Sequence, residues 1–412
     1  MKTLKQLSAG ILLMGLFVFT GCSDFNFDDW IGKYMDTDTV GTTKWTYQVP
    51  EGYTSFGTLA LDHSGNVVAA IGGGTGTWKP AKLICLDPEG NFLWESIELD
   101  HAGASSPVIG ADGTIYVSGF YKLYAFDGDG TKKWEHDFPL AQIGQPKVSP
   151  DGTIFVHYVG SGEYLRRLFA LNPDGTVKWA TDEHVSHFCD GLTVHPNGFL
   201  VFFDRSYEDP WTPAYNIIAR DISDGHVVWA YPLEAGYNDT QDGYAISTDG
   251  KIYIPFFKNV NTGLNSLLVL EADGTLFKLI GLHDSYHSGI PCISSDGILY
   301  HTNTNRGLEA ISTDGQILWE HTMLGGQMLA LDKKGNMYQN SASGLQVISS
   351  AGELKNDLKI ATNSQSPAIS GTGVVYVISE GFPAVITAVK GYAGLAQGWP
   401  RSYGNNQNTG SR

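Results

Sequence analysis

Histidines and carboxylates gather in a few short stretches of this chain. His101 stands by itself. His184, His187 and Asp190 lie together, as do Asp239 and Asp242, and His283, Asp284 and His287 form a further group. Imidazole nitrogen and carboxylate oxygen are the donors that borderline divalent metals take. The HExxH spacing that would set two imidazoles on one helical face is absent. These residues are therefore read as a candidate ligand face; their convergence on a divalent metal at the channel mouth is the less favoured alternative. A second set is aromatic: Trp78, Tyr207 and Trp211, with Tyr158, Tyr164, Tyr215 and Phe257 nearby. Rings beside Asp and Asn suit a sugar or an extended peptide; the plainer alternative is that they cap the ends of a β-core.

Other chemistry-bearing patterns fail on their details. Gly72-Gly73-Gly74-Thr75-Gly76 has the glycines of a phosphate loop, but no Lys-Ser/Thr pair closes it and no helix pattern follows. Asp127-Gly128-Asp129 starts like a calcium loop, yet Lys132 stands where that loop requires glycine. No GxSxG motif occurs. No catalytic residue is assigned.

These residues must be placed by a repeat. The stretch 106–137 reads as four short strands, with period-2 alternation and tight turns at Asp112-Gly113 and Asp129-Gly130. Comparable first turns recur at Gly65, Gly152, Gly198, Gly250, Gly297, Gly335 and Gly373. A period of about 40 residues with four strands per unit predicts an all-β, eight-bladed propeller. In a four-stranded meander the first and third turns share one face, here the Gly-turn face. The second turns and the crossovers to the next blade share the other, the loop face. The long segments 72–80, 158–164, 204–214 and 257–265 all fall on the loop face, where recognition is expected.

The second half of each unit is more specific. A small residue, a tight turn and then a tryptophan recur as Cys85…Trp94, Ala125…Trp134, Ala170…Trp179, Ala219…Trp229 and Ala310…Trp319. Leu279 and Asn356 are read as standing where two further tryptophans would be. Large indoles at matching positions are expected to lock neighbouring blades together. Lys44-Trp45-Thr46-Tyr47 copies the outer strand around Trp134, so the amino-terminal strand is expected to complete the last blade and remove an exposed edge. The pattern resembles the tryptophan-docking repeats of quinoprotein (PQQ-like) propellers across nearly all of residues 43–400. The resemblance implies fold, and for one branch a dehydrogenase holding PQQ over calcium beside two adjacent cysteines. No such cysteine pair exists here, so no cofactor is expected outside that alternative.

The amino end points to the cell envelope. Residues 1–21 have a basic start and a short apolar run, as a signal peptide does. Thr20-Gly21-Cys22 resembles a bacterial lipobox, although Phe19 replaces the usual leucine. The resemblance implies that Cys22 becomes the lipid-bearing first residue and that Ser23 directs the chain to the outer membrane. Residues 22–42 are read as an acidic tether. Residues 401–412, rich in Asn and Gly, are expected to form a surface tail that is partly mobile. The plan is similar to that of the outer-membrane assembly lipoprotein of the barrel-assembly machinery: an anchor, eight blades and no catalysis.

Composition narrows the partners. Among 412 residues, 43 acidic side chains outnumber 26 basic ones, for a net charge of -17. That balance repels phosphate backbones and argues against nucleic acid. The four cysteines, Cys22, Cys85, Cys189 and Cys292, are too widely spaced for a disulfide scaffold or a zinc CxxC site. The sequence thus predicts a monomeric binding protein, with an envelope protein or a glycan on its loop face.

Overall fold

The computed structural model describes residues 39–409 apart from 74–77, 140, 161–165, 182–190, 207–213, 234–236, 240–242, 259–263, 283–289, 304–306, 323–324, 342, 364, 380, 382, 398–399, 402–403 and 406. Residues 1–38, with Cys22 and nearly all of the tether, lie outside the described residues.

The described chain forms eight antiparallel sheets in a ring. The second blade shows the plan: Val108–Ile109, Ile115–Ser118, Lys122–Phe126 and Lys132–Asp137 follow one another outward from the channel. Its turns use Gly113 at φ 84° and Gly130 at φ 83°, backbone that glycine enters without steric cost. The carboxylates of Asp112 and Asp129 accept the amides of Thr114 and Thr131 at 3.0 Å, which is why Asp-Gly recurs there. The ring closes as the sequence predicts. Thr43–Gln48 pairs with Val385–Lys390 and becomes the outer strand of the eighth blade.

No blade has a core of its own. Apolar residues form eight clusters, and each is shared by two neighbouring blades. Val117 and Phe126 face the first blade, whereas Tyr116 and Ala125 face the third. The period-2 alternation read in the sequence is this division between two junctions.

A bulge between the third and fourth strands sets the tryptophans. In the second blade the register shifts between Ala125 and Phe126, placing Ala125 opposite Trp134. The pairs Cys85–Trp94, Ala170–Trp179, Ala219–Trp229, Ala310–Trp319 and Ala388–Trp45 repeat the arrangement. The small partner leaves room for the indole to lean over the junction. Each ring lies against a turn glycine of the next blade, and a Cβ added at Gly130 would meet Trp94 Cε3 at 2.5 Å. Each indole N–H also donates to a carbonyl of that turn, as Trp94 does to Gly128 at 2.9 Å and Trp134 to Pro173 at 2.8 Å. Trp45, Trp179, Trp229 and Trp319 donate in the same way to Pro88, Ile222, Ala272 and Ser350.

The register corrects one sequence assignment. Lys278, paired with Val269, occupies the tryptophan position of the fifth blade; Leu279 is one residue beyond it. The Lys278 ammonium donates to the carbonyl of Asp314 in the next blade, much as an indole does elsewhere. In the seventh blade Asn356, opposite Val347, accepts a hydrogen bond from Tyr392 of the eighth. Where the indole is missing, valine replaces the small partner.

The carboxyl-terminal segment is the second correction. The sequence predicts a partly mobile surface tail, but Arg401 and Asn408 are fully buried. The segment enters the channel along the seventh blade, where Leu331 N–H donates to Pro400 O at 2.8 Å and Ala396 N–H donates to Leu331 O at 2.9 Å. It then crosses to the inner strands of the first three blades. Inner strands present unpaired amides and carbonyls to the channel, and a chain rich in Asn and Gln supplies partners for them.

Candidate functional site

The tail divides the channel. The Arg401 guanidinium donates to Leu59 O at 3.3 Å and to Ser366 O at 3.1 Å, joining the first and eighth blades. The Asn408 amide donates to Pro107 O at 3.0 Å. Ile109 N–H donates to Gln407 O at 2.9 Å and Val148 N–H to Thr409 O at 3.1 Å. Ile109 and Val148 end their short inner strands at the Gly turn, whereas Pro107 and Ser366 stand just before Val108–Ile109 and Ala368–Ile369.

On the loop side of this plug is a cavity of about 460 Å³. Along the chain of the first, second, third and eighth blades, the lining residues stand one or two positions before those that meet the tail. Gly57 lines the cavity and Leu59 meets the tail; Ser106 lines it and Pro107 meets the tail. Lys147 and Gln365 line it, and Val148 and Ser366 meet the tail. The tail therefore floors a blind recess that opens toward the loop face.

The walls are crossovers held rigidly. The Asp100 carboxylate accepts Phe120 N–H at 3.0 Å and Tyr121 N–H at 2.7 Å, fixing the second turn of the second blade. A Cβ at Gly119 would lie 1.7 Å from Asp100 Oδ1, so a side chain there would displace the carboxylate that holds the turn. Ser118 N–H donates to Ser105 Oγ at 3.0 Å, Ser118 Oγ–H donates to Gly144 O at 2.8 Å, and Thr58 N–H donates to Ser106 Oγ at 2.9 Å. Phe120, Ala104 and Ile143 supply apolar wall.

His101 is the one rim histidine among the described residues, and it does line this cavity. Its ring packs on Phe120 with centroids 4.7 Å apart. Its Nδ1 accepts Gly103 N–H at 3.1 Å, so in the neutral ring Nε2 carries the proton. Trp78 stands outside the lining on the loop face and is 70 % exposed. Tyr158 packs against Phe138 and Phe169, and Tyr215 against Phe203, as caps of the junction cores. His184, His187, Asp190, Tyr207, Trp211, Asp242, His283, Asp284 and His287 lie outside the described residues. Gln145, Lys147 and Gln365 were missed by sequence reasoning; amides on extended segments carry no motif.

The sequence model of a family described as outer membrane protein assembly factor BamB matches residues 79–254. BamB from Moraxella catarrhalis superposes with a TM-score of 0.61 at 14% identity, covering 85% of this chain and 99% of that one. The chain is a PQQ-like β-propeller similar to BamB. Quinohemoprotein alcohol dehydrogenase from Comamonas testosteroni gives a TM-score of 0.55 at 14% identity, covering 86% of this chain and 77% of that one. The carboxyl-terminal WD40 domain of Sif2 gives 0.57 at 11% identity, covering 84% of this propeller and 99% of that domain. At these identities the likeness is one of fold. Comparison with curated proteins returns no match.

Proposed function

We propose that this propeller is a non-enzymatic binding or scaffold protein of the bacterial cell envelope. In this reading lipid on Cys22 tethers it to the outer membrane, and the loop face holds a partner. The observation that carries the reading is the one-sided channel: plugged by Pro400, Arg401, Gln407, Asn408 and Thr409 on the Gly-turn side, recessed toward the loops. The similarity to an outer membrane assembly factor supports an envelope setting.

The likeness to a quinohemoprotein raises PQQ and calcium, and the cavity does not fit them. No carboxylate is among its described lining residues, whereas calcium takes carboxylate and carbonyl oxygen. Cys85 and Cys292 are single buried thiols, not an adjacent pair.

Two experiments test the proposal. Palmitate labelling of the full chain should be lost in Cys22→Ala, with release from the membrane fraction; unchanged membrane association in that variant would remove the anchor. A photo-crosslinking residue at Trp78 should give one discrete adduct in whole cells, and one at Thr372 on the Gly-turn face should give none. The opposite pattern would reverse the faces. A glycan reading has one observation behind it, the exposed Trp78 ring. Binding to a polysaccharide panel that is lost in Trp78→Ala would favour it.

A further inference from the structure

We infer that the tail-floored cavity is a carboxylate-binding site, and that its ligand is a carboxylate either free or borne on a polypeptide. The inference rests on the loop face being the binding face, and it assigns the chemistry of that face's deepest recess.

The first observation is a donor without an acceptor. Gln145 Nε2 is buried in the cavity wall and has no hydrogen-bond partner. A desolvated N–H left so costs free energy that a ligand oxygen would restore. Lys147, two residues on, lines the same cavity at 3 % exposure; it is already engaged within the protein, so it contributes positive charge to the wall and not a free donor. His101 adds a second donor, because the Gly103 amide occupies Nδ1 and leaves the proton on Nε2.

The second observation is what the lining omits. The chain carries 43 acidic residues, yet none is among the described residues that line this cavity. The nearest acid in sequence, Asp100, has its carboxylate engaged by the amides of Phe120 and Tyr121. An anion here would meet donors from two crossovers and, among the described lining residues, no like charge, on an otherwise acidic molecule. The volume of about 460 Å³ suits a small ligand or the tip of a side chain, and Phe120, Ala104 and Ile143 would cover its methylenes.

The test is calorimetric titration of the full chain with glutarate and with a capped Gly-Glu-Gly peptide. Glutaramide and the Gly-Gln-Gly peptide serve as uncharged counterparts. At least one carboxylate probe should bind saturably, about tenfold or more tighter than its amide, as expected for charge-assisted hydrogen bonds. Gln145→Leu should weaken that binding about tenfold while leaving the unfolding midpoint nearly unchanged. His101→Phe keeps the ring on Phe120 but removes the donor, and should weaken binding even if Gln145→Leu folds poorly. Binding of glutarate alone identifies a free ligand; binding of the glutamyl peptide identifies a polypeptide source. Equal binding of acids and amides, no saturable binding, or full affinity in both variants would overturn the assignment. The crosslinking result at Trp78 stands apart from this one, so the two readings can fail separately.

Discussion

Arg401 donates to the carbonyl of Leu59 across 342 positions of sequence, at 3.3 Å. The contact ties the end of the chain to its first blade. It acts beside a second closure, in which the strand Thr43–Gln48 completes the last blade. Arg401 also reaches Asn408 Oδ1 at 3.3 Å, so the guanidinium organises the segment that floors the cavity.

Arg401→Ala should therefore destabilise the propeller by roughly 3 kcal/mol, in the range for removing a buried charged group from its hydrogen bonds. Arg401→Lys should recover little, because one ammonium cannot reproduce a planar fork aimed at several oxygens. Chemical denaturation of the three proteins is the check. A loss under about 0.5 kcal/mol in both variants, the scale of ordinary surface changes, would mean that the tail lies in the channel without holding it.

The indole docking can be isolated with two glycines. Gly113 and Gly130 have nearly the same backbone, φ 84° and 83°. A Cβ at Gly113 meets nothing within 4 Å, whereas one at Gly130 meets Trp94 at 2.5 Å. Both alanine variants incur the left-handed backbone strain, so their difference reports the lost docking. Gly130→Ala should be less stable than Gly113→Ala by about 1–3 kcal/mol. Equal midpoints in urea would show that the indole is not held tightly.

His301 should give the propeller an acid sensitivity. It is fully buried, neither ring nitrogen has a hydrogen-bond partner, and Glu309 lies opposite in the register. Burial pushes its pKa from 6.5 down to about 4, because the charged ring cannot be solvated there. The unfolded chain therefore binds the proton more readily than the folded one. Stability from this group is full above pH 6.5 and falls as pH drops toward about 4, by up to about 1.4 kcal/mol per pH unit. His301→Leu should flatten that part of the stability–pH curve. An unchanged slope would place the sensitivity elsewhere.

Cys85 is buried, and desolvation pushes its thiol up to about 12. At pH 8 the native chain should leave Cys85 unmodified by iodoacetamide, with modification appearing only in denaturant. Mass spectrometry of the digested protein reads the difference. Rapid native labelling at Cys85 would mean that the junction between the first two blades opens easily.

The legible parts of the sequence were those with local causes. Asp-Gly turns, alternating strands and the small-residue–Trp spacing each act within one blade, and together they specify the eight sheets and the closing strand. The Lys278 register was read one residue off because Leu276-Phe277-Lys278-Leu279 offers no indole to mark the bulge; Val269 opposite Lys278 was the available signal. The tail was misread because Asn and Gly suggest mobility, and its partners at Leu59 and Pro107 lie about 300 residues or more away. The cavity was visible only through His101. Its remaining donors are ordinary amides and a lysine, made distinctive by the strands that bring them together.

The most direct measurement of the central claim is hydrogen–deuterium exchange on the full chain, alone and bound to detergent-solubilised envelope membranes. The account predicts slower exchange at 100–106, 119–121 and 142–146, with the Gly turns at 62–65 and 110–113 unchanged. Protection confined to those Gly turns would contradict it.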